Sequence, residues 1–324
     1  CRHDTARDLG LEDHQVRVIT QYMGGGFGNK NQNQDADLVS ATLSRRAGVP
    51  VMLEYSRRED WLGVHGRWPT VQYYKVGVKD DGTVTAMQLR GYSGMGPYRK
   101  NSGGISGMDA YGCPNRLREI YPVYTNRTTS GNFRAPSEPH GFYGIENMMD
   151  EVAYQIGMDP VEFTLKNMRR PTESAQFTNY SLDECIETGA EQFNWQARRR
   201  VVPGSDEGPI KRGAGFSFMM FRAGLGTSSA IVRVNANQQY TLYVGVTDIG
   251  PGAKTTMGMI AAEALGVPLS QVEVVWGDTD RCPYSVGESG SRTTIQTGYA
   301  VVQAVENLKE QVAVQGMPSG GEGL

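Results

Sequence analysis

Three glycine-containing segments are the parts of this sequence best suited to binding a ligand through the backbone. They are Met23-Gly-Gly-Gly-Phe-Gly-Asn-Lys30, Asp248-Ile-Gly-Pro-Gly252 and Gly287-Glu-Ser-Gly-Ser-Arg292, called here the first, second and third glycine loops. Each follows a predicted strand and precedes a predicted helix, where unpaired N–H groups favour anions and polar acceptors. Three such loops in one chain indicate a large polar ligand held by many hydrogen bonds.

The glycine loops also have ordinary structural interpretations. The first lacks GxGxxG spacing, and it is not a P-loop because Lys30 is followed by Asn31. A tight turn with Phe27 in the core is therefore an open alternative to a ligand wall formed by Phe27. The stretch Ser289-Gly-Ser-Arg-Thr293 is compatible with an anion site or with a plain helix cap.

Arg134 is a candidate for chemistry because its planar guanidinium can donate to an anionic or oxo group. The alternative is an ordinary salt-bridged surface arginine. Its segment, Phe133-Arg-Ala-Pro-Ser-Glu-Pro-His140, contains two prolines and predicts an extended loop. Glu138 and His140 are two residues apart and would diverge on a helix, so we interpret them as structural.

Cysteine, histidine and charge patterns exclude several function classes. The four cysteines and four histidines are dispersed, which argues against a protein-ligated metal and favours a reducing, cytoplasmic compartment. Asp278-Thr-Asp280 lacks the further ligands of a metal loop and predicts a turn. A net charge of −3 gives no basic footprint for nucleic acid. No apolar run approaches the roughly 18 residues of a membrane span.

The elements that would position these residues are mixed helices and strands. Periodicity predicts helices at 4–11, 35–47, 141–157, 159–168, 181–198, 255–265 and 293–312, and strands at 16–20, 51–55, 73–78, 84–92, 229–234, 240–246 and 272–276. The predicted fold class is α+β. An aperiodic, Pro/Gly-rich stretch at 201–212 divides it into two mixed α/β-layer subdomains, residues 1–202 and 203–324.

Other stretches lack this periodicity. Residues 94–122 are glycine-rich and predict a long irregular loop. The sequence begins with Cys1 rather than Met, and residues 316–324 have the composition of a linker. We therefore expect the chain to be part of a longer protein or assembly.

Five segments together resemble the molybdenum-cofactor subunit of the xanthine dehydrogenase/aldehyde oxidase family, in order and in spacing. They are 23–30, 73–77, 128–141, 151–168 and 278–294. The resemblance covers nearly the whole chain and corresponds to the central portion of that subunit. It implies the molybdopterin-binding fold.

The resemblance also implies a cofactor and a reaction. The cofactor is molybdopterin, often as its cytosine dinucleotide, with molybdenum held by dithiolene sulfurs and not by protein ligands. The reaction is hydroxylation of an aldehyde or of an N-heteroaromatic carbon with oxygen from water. Electrons would pass to 2Fe-2S and FAD centres on partner chains. The general-base glutamate and a glutamine that contacts the metal's oxo group would lie outside this chain.

Carried over position by position, the resemblance makes Arg134 a catalytic hydrogen-bond donor near the metal. The positions implied to bind the cofactor are Gly26, Phe27, Gly28, Arg134, Gly250, Gly252, Ser289, Gly290 and Ser291. In the second glycine loop Pro251 stands where family members have glutamine. Proline has neither a side-chain amide nor an N–H, so one cofactor hydrogen bond is lost or made elsewhere.

Further departures from the family pattern narrow the range of substrates that we expect. Asn31 occupies the position that is glutamate in purine-oxidising members, and the second purine-binding position falls near Ser102. A purine substrate is therefore disfavoured, and Asn31 is a candidate substrate contact. Ala135 stands where carbon monoxide dehydrogenases have a copper-binding cysteine, which argues against that activity.

Pro136 replaces an aromatic residue that would sandwich a flat heterocycle. We therefore expect Phe218 or Phe221 to contact the substrate instead. The competing hypothesis for the whole chain is a Gly-rich module that binds a nucleotide or another anion without redox chemistry.

Overall fold

The computed structural model describes residues 1–98, 103–171, 180–199, 202, 204–221 and 223–318. The chain divides into two compact units, neither of which is continuous in sequence. Unit 1 comprises Cys1–Val64, Asn132–Arg134 and Arg222–Leu324, and unit 2 comprises His65–Gly131 and Ala135–Phe221. The division between residues 202 and 203 stays a prediction, and residue 203 lies outside the described residues.

The mixed α+β class predicted from the sequence is confirmed. The described helices are α1 Arg2–Leu9, α2 Asp35–Ala47, α3 Arg57–Gly63, α4 Glu138–Gln155, α5 Pro160–Asn167, α6 Leu182–Phe193, α7 Trp195–Arg198, α8 Ala253–Leu265 and α9 Gly298–Gln315. The described strands are β1 Thr70–Val78, β2 Val84–Gly94, β3 Asn115–Val123, β4 Ala230–Val234, β5 Tyr240–Val244 and β6 Val272–Trp276. None of the described helices has the length and apolarity needed to cross a membrane.

Unit 2 is built on the sheet β1-β2-β3, in which β2 pairs antiparallel with β1 and parallel with β3. Helix α4 packs over this sheet and buries Ile145 and Met149 in a core shared with Leu89 and Phe163. Helix α5 begins at Asp159, whose carboxylate accepts the Val161 N–H at 2.8 Å. The core therefore lies between one sheet face and the two helices.

Glu146 is a buried carboxyl group in this core. It accepts hydrogen bonds from the Tyr111 hydroxyl at 2.7 Å and from the Phe218 N–H at 3.1 Å. Burial raises the pKa of Glu146 to about 7, which outweighs the opposing effect of these two bonds. The folded protein therefore holds the Glu146 proton more tightly than the unfolded chain does.

This raised pKa predicts a pH-dependent stability. Since the folded state binds more protons between pH 4.5 and 7, the free energy of unfolding should fall as pH rises through that window. The free energy of unfolding of Glu146→Gln lacks this pH dependence. The difference between variant and parent should therefore shift in favour of the variant by up to about 3 kcal/mol between pH 4.5 and pH 7.5. Urea unfolding at both pH values measures this. Glu151→Gln, at an exposed position of α4, retains Glu146 and should keep the same pH dependence of the free energy of unfolding as the parent. Parallel pH profiles for Glu146→Gln and the parent would contradict the prediction.

Unit 1 is built on the sheet β4-β5-β6, in which β5 pairs antiparallel with β4 and parallel with β6. Helices α8 and α9 pack together and contact this sheet. Leu242, Met257, Val301 and Trp276 lie in the resulting core. Two single bridges lie outside the strands: Ile19 pairs with Asp278, just after β6, and Tyr22, just before the first glycine loop, pairs with Asp248 of the second.

Four of the sequence predictions that are wrong concern the strands, loop and helix at 16–20, 51–55, 94–122 and 181–198. The stretch 16–20 forms only the single bridge at Ile19, and 51–55 is not a strand, with Met52 87% exposed. The predicted irregular loop 94–122 contains most of β3. The predicted helix 181–198 is divided at Asn194, whose φ of 56° ends α6.

Candidate functional site

The first and second glycine loops lie side by side in unit 1. The Met23 N–H donates to the Asp248 carbonyl at 2.9 Å, and the Asp248 N–H donates to the Gln21 carbonyl at 3.3 Å. Trp276 supports this pairing, since its indole N–H donates to the Gln21 carbonyl at 3.0 Å. Lys254, in the first turn of α8, lies 4.0 Å from the Trp276 ring centroid. Two loops far apart in sequence are thereby held at one edge of the sheet.

Arg134 is tied to the first glycine loop through its backbone. Its N–H donates to the Phe27 carbonyl at 2.6 Å, and Gly28 approaches the same segment so closely that a Cβ there would lie 3.4 Å from the Arg134 nitrogen. The Arg134 side chain is exposed. The Phe27 ring is 57% exposed, so Phe27 is not a core residue of unit 1. Backbone geometry thus places the backbone of Arg134 beside that of Phe27 and Gly28.

The second glycine loop is organised by Asp248. Its Oδ1 accepts the Gly250 N–H at 2.9 Å and the Gly252 N–H at 3.1 Å. Helix α8 begins directly afterwards, with Gly252 as its N-cap at a φ of 83°. A glycine N-cap has no side chain to occupy the N–H groups of the first helical turn, so these face outward as donors.

The third glycine loop is held by Arg292. The guanidinium donates to the Ser289 hydroxyl at 2.6 Å and to the carbonyls of Val286 and Leu225, each at 3.0 Å. A π-helical turn, Thr293–Thr297, joins the loop to α9, where the sequence predicts a regular helix from residue 293. Glu288 connects this loop to the second, because its carboxylate accepts a hydrogen bond from the Thr247 hydroxyl.

Left-handed backbone conformations occur at three non-glycine residues of these segments. Phe27, Ala135 and Ser291 have φ angles of 51°, 53° and 56°. Such conformations are costly for residues with a Cβ and concentrate at functional sites. Ala135 avoids the right-handed helical region, as Pro136 predicts, but it is left-handed rather than extended.

The Glu138 and His140 pair is structural, although the predicted extended loop is wrong there because α4 begins at Glu138. Glu138 accepts from the Ser106 hydroxyl at 3.3 Å, and the His140 Nε2 lies 3.0 Å from the Gly104 carbonyl. Burial lowers the pKa of His140, so the neutral imidazole is favoured. Neither group belongs to the unit that contains the glycine loops.

Asp278 forms a turn and an ion pair rather than a metal loop. Its carboxylate accepts from Arg17 Nε at 3.0 Å and from the Asp280 N–H at 3.0 Å. The Arg17 hydrogen bond lowers the pKa of Asp278 to about 2. Within the described part of the chain, no group of three or more His, Cys, Asp or Glu side chains could hold a metal ion.

The expected substrate residues lie in different parts of the fold. Asn31 is exposed, in the short 3-10 turn Asn29–Asn31 of unit 1. Phe218 is 7% exposed in the core of unit 2, where its ring packs edge-on against Tyr111 and Phe142. Phe221 is 41% exposed, and Ser102 lies outside the described residues. Substrate contacts by Asn31 and Phe218 stay predictions.

Sequence reasoning missed three residues that organise the loops. These are Asp248 as the acceptor for two loop N–H groups, Thr247 with its bond to Glu288, and Arg292 as the anchor of the third loop. An aspartate two residues before a loop glycine is a usual sign of a side chain that accepts backbone N–H groups, and it could have identified Asp248. The other two contacts depend on tertiary structure.

Two family models of a molybdopterin cofactor-binding domain match residues 1–168 and 188–316. The chain belongs to the molybdopterin cofactor-binding family. The resemblance to the central portion of the xanthine dehydrogenase/aldehyde oxidase molybdenum subunit is thereby confirmed. The discontinuous unit 1 contains residues from both matched ranges, including all three glycine loops.

Two proteins similar to this chain are named as molybdenum-binding subunits. The putative xanthine dehydrogenase molybdenum-binding subunit XdhA of Escherichia coli K12 is 32% identical, over 92% of this chain and 42% of the relative. The aldehyde oxidoreductase molybdenum-binding subunit PaoC of the same organism is 31% identical, over 97% of this chain and 43% of the relative. The chain therefore spans about two fifths of these relatives.

A solved structure shares the fold. The aldehyde oxidoreductase from Desulfovibrio gigas superposes with a TM-score of 0.85 at 26% identity, over 98% of this chain and 38% of that one. Of the two hypotheses from the sequence, the molybdopterin-binding chain is thus favoured over the redox-free module.

The glycine loops of this molybdopterin-binding chain fit a flat polar cofactor. At Gly24, Gly250 and Gly252 a Cβ would meet no atom within 4 Å, so the backbone faces open space. The first turn of α8 offers N–H donors, and Glu288 has a buried carboxyl oxygen, Oε1, without a hydrogen-bond partner among the described residues. Open backbone, free donors and an unpaired polar atom are what a pterin ring with many heteroatoms requires.

Proposed function

We propose that this chain carries the cofactor-binding loops of a molybdenum hydroxylase. This enzyme would oxidise an aldehyde or an N-heteroaromatic carbon with oxygen derived from water. The observation that carries the proposal is the hydrogen bond from the Arg134 N–H to the Phe27 carbonyl, which sets the arginine beside the first glycine loop. Relatives named as xanthine dehydrogenase and aldehyde oxidoreductase molybdenum-binding subunits support the reaction class.

The three glycine loops would hold the cofactor. Gly26, Phe27 and Gly28 form one wall, Gly250 and Gly252 a second, and Ser289, Gly290 and Ser291 a third. When bound, molybdopterin supplies the molybdenum centre that accepts the two electrons of the oxidation. The exposed Phe27 ring would exclude water from one side of that centre.

Arg134 is the residue proposed to act on the reacting groups. Its planar fork would donate hydrogen bonds to an oxo group or to negative charge that develops in the transition state. The left-handed Ala135 and the following Pro136 restrict the backbone directly after Arg134. Asn31, which is exposed, is proposed to contact the substrate, whereas Phe218 packs in the core of unit 2 and is not proposed to do so.

Partner chains complete the proposed enzyme. We place the 2Fe-2S and FAD centres, the general-base glutamate and the oxo-contacting glutamine outside this chain, and the cofactor in its cytosine dinucleotide form. Cys1, Cys113, Cys185 and Cys282 are all free thiols, which supports a reducing, cytoplasmic compartment.

Metal and cofactor analysis of the native complex tests the proposal. We expect one molybdenum and one pterin per copy of this chain, with iron and flavin on the co-purifying chains. A complex that holds a nucleotide but neither molybdenum nor pterin would replace this proposal with the redox-free anion-binding module.

A further inference from the structure

Glu288 lies in the third glycine loop, and its side chain contacts the start of the second. One carboxyl oxygen accepts a hydrogen bond from the hydroxyl of Thr247, the residue before Asp248. The other, Oε1, is buried and has no partner among the residues that the structure describes. A buried acceptor left unpaired costs free energy, so such an oxygen in a native site calls for a ligand or an ion.

The second glycine loop has few donors of its own to offer a ligand. The N–H groups of Gly250 and Gly252 are both taken by Asp248, and Pro251 has no N–H. A ligand at this loop has the N–H donors of the first turn of α8, and a carboxyl group close by would add an acceptor. Glu288 supplies it, because Thr247 holds its carboxyl group at the start of the loop.

The carboxyl group of Glu288 can accept hydrogen bonds from a ring in either protonation state, and in its neutral form it can also donate one. Burial raises the pKa of Glu288; the Thr247 hydrogen bonds oppose this, and the negative charge of Asp248 adds to it. Arg292, on the same loop, directs its guanidinium to Ser289 and to backbone carbonyls. A neutral carboxyl group has one O–H to donate and an oxygen to accept with.

We propose that Glu288 is a cofactor-binding residue whose carboxyl group hydrogen-bonds the pterin ring system beside the second glycine loop. The inference rests on the proposed function, since it takes molybdopterin as the ligand of the glycine loops. It assigns to one side chain of this chain a hydrogen bond that Pro251 cannot make.

The test measures cofactor retention in the native complex rather than turnover. Pterin and molybdenum are quantified per complex, and the rate of pterin release is followed after dilution. Glu288→Ala should release pterin about 10-fold faster, because losing one hydrogen bond in a buried site corresponds to roughly that factor. Glu288→Gln, whose neutral amide still donates and accepts, should stay within about 3-fold of the parent. Glu273→Ala, at an exposed position of β6, should match the parent.

A second set of variants separates cofactor binding from a purely structural bond between the loops. Pro251→Gln places a side-chain amide in the second loop and should restore most of the retention lost in Glu288→Ala. Thr247→Val removes the donor to Glu288 but leaves the carboxyl group, so its release rate should change by less than about 3-fold. If Glu288→Ala does not fold, Glu288→Asp replaces it, with a similar loss expected because its carboxyl is one methylene shorter.

Two results would overturn the inference. One is parental retention in Glu288→Ala. The other is an equal loss in Thr247→Val and Glu288→Ala with no rescue by Pro251→Gln, which would make Glu288 a bond between loops only. A parent complex without molybdenum and pterin would instead overturn the proposed function, so the two failures are distinguishable.

Discussion

In the proposed molybdenum hydroxylase, Arg134→Lys is expected to slow the chemical step by about 10² to 10³, by analogy with the loss of one donor from an oxyanion hole. Lysine keeps the positive charge but loses the planar fork that donates two parallel hydrogen bonds. The backbone N–H of residue 134, which donates to the Phe27 carbonyl at 2.6 Å, is present in the parent and in Arg134→Lys alike. The effect should therefore appear in the rate constant of the chemical step, measured by single-turnover reduction of the enzyme by its substrate, and in kcat where that step limits turnover.

Cofactor content separates this role from a structural one. The glycine loops, not Arg134, are proposed to hold the pterin, so molybdenum per complex and thermal stability should be unchanged in Arg134→Lys. Arg127→Lys, at an exposed loop position seven residues earlier, is the matched control and should leave kcat at the parental value. Normal turnover by Arg134→Lys would show that the arginine is an ordinary surface residue.

Helices and strands with a strong hydrophobic period were predictable from the sequence. Both α2 and β6 have the predicted bounds, because an amphipathic helix that ends at glycine and a short apolar strand are encoded locally. Strand β3 was not predictable. It lies at the sheet edge, and Arg116, Leu117 and Arg118 are all exposed, so no alternation marks it.

The candidate site shows the same limit. Glycine-rich composition identified all three loops, since backbone approach to a ligand requires residues without side chains. The contacts that join them are long-range, between Met23 and Asp248 and between Thr247 and Glu288. Their pairing depends on how unit 1 assembles from distant segments, which local patterns do not encode. The burial of Phe218 against Tyr111 likewise depends on the fold and has no signal in the sequence around it.

Gly141→Ala is expected to lower the free energy of unfolding by about 3 kcal/mol or more. Gly141 lies in the first turn of α4, where the helix crosses the backbone of Ser106. A Cβ at Gly141 would lie 2.2 Å from the Ser106 carbonyl oxygen and 2.6 Å from the Ser106 nitrogen. Backbone cannot move aside as a side chain can, so α4 must shift away from the loop and lose packing at Ile145.

Two glycines serve as matched controls for this crossing. A Cβ at Gly144, one helical turn further along α4, would meet the Gln72 Oε1 at 2.3 Å and the Tyr74 ring at 2.9 Å. Both are side chains rather than backbone, although Gln72 donates to the His140 carbonyl and accepts from the Tyr74 hydroxyl, so Gly144→Ala should cost less than Gly141→Ala, about 1 to 2 kcal/mol. A Cβ at Gly189 in α6 would meet no atom within 4 Å, and Gly189→Ala should instead stabilise the protein by about 0.5 to 1 kcal/mol, as in an exposed helix. Urea unfolding of the three variants measures the series. Equal effects at Gly141 and Gly144 would show that the Ser106 backbone yields as readily as a side chain, and that the close approach of α4 does not fix its position.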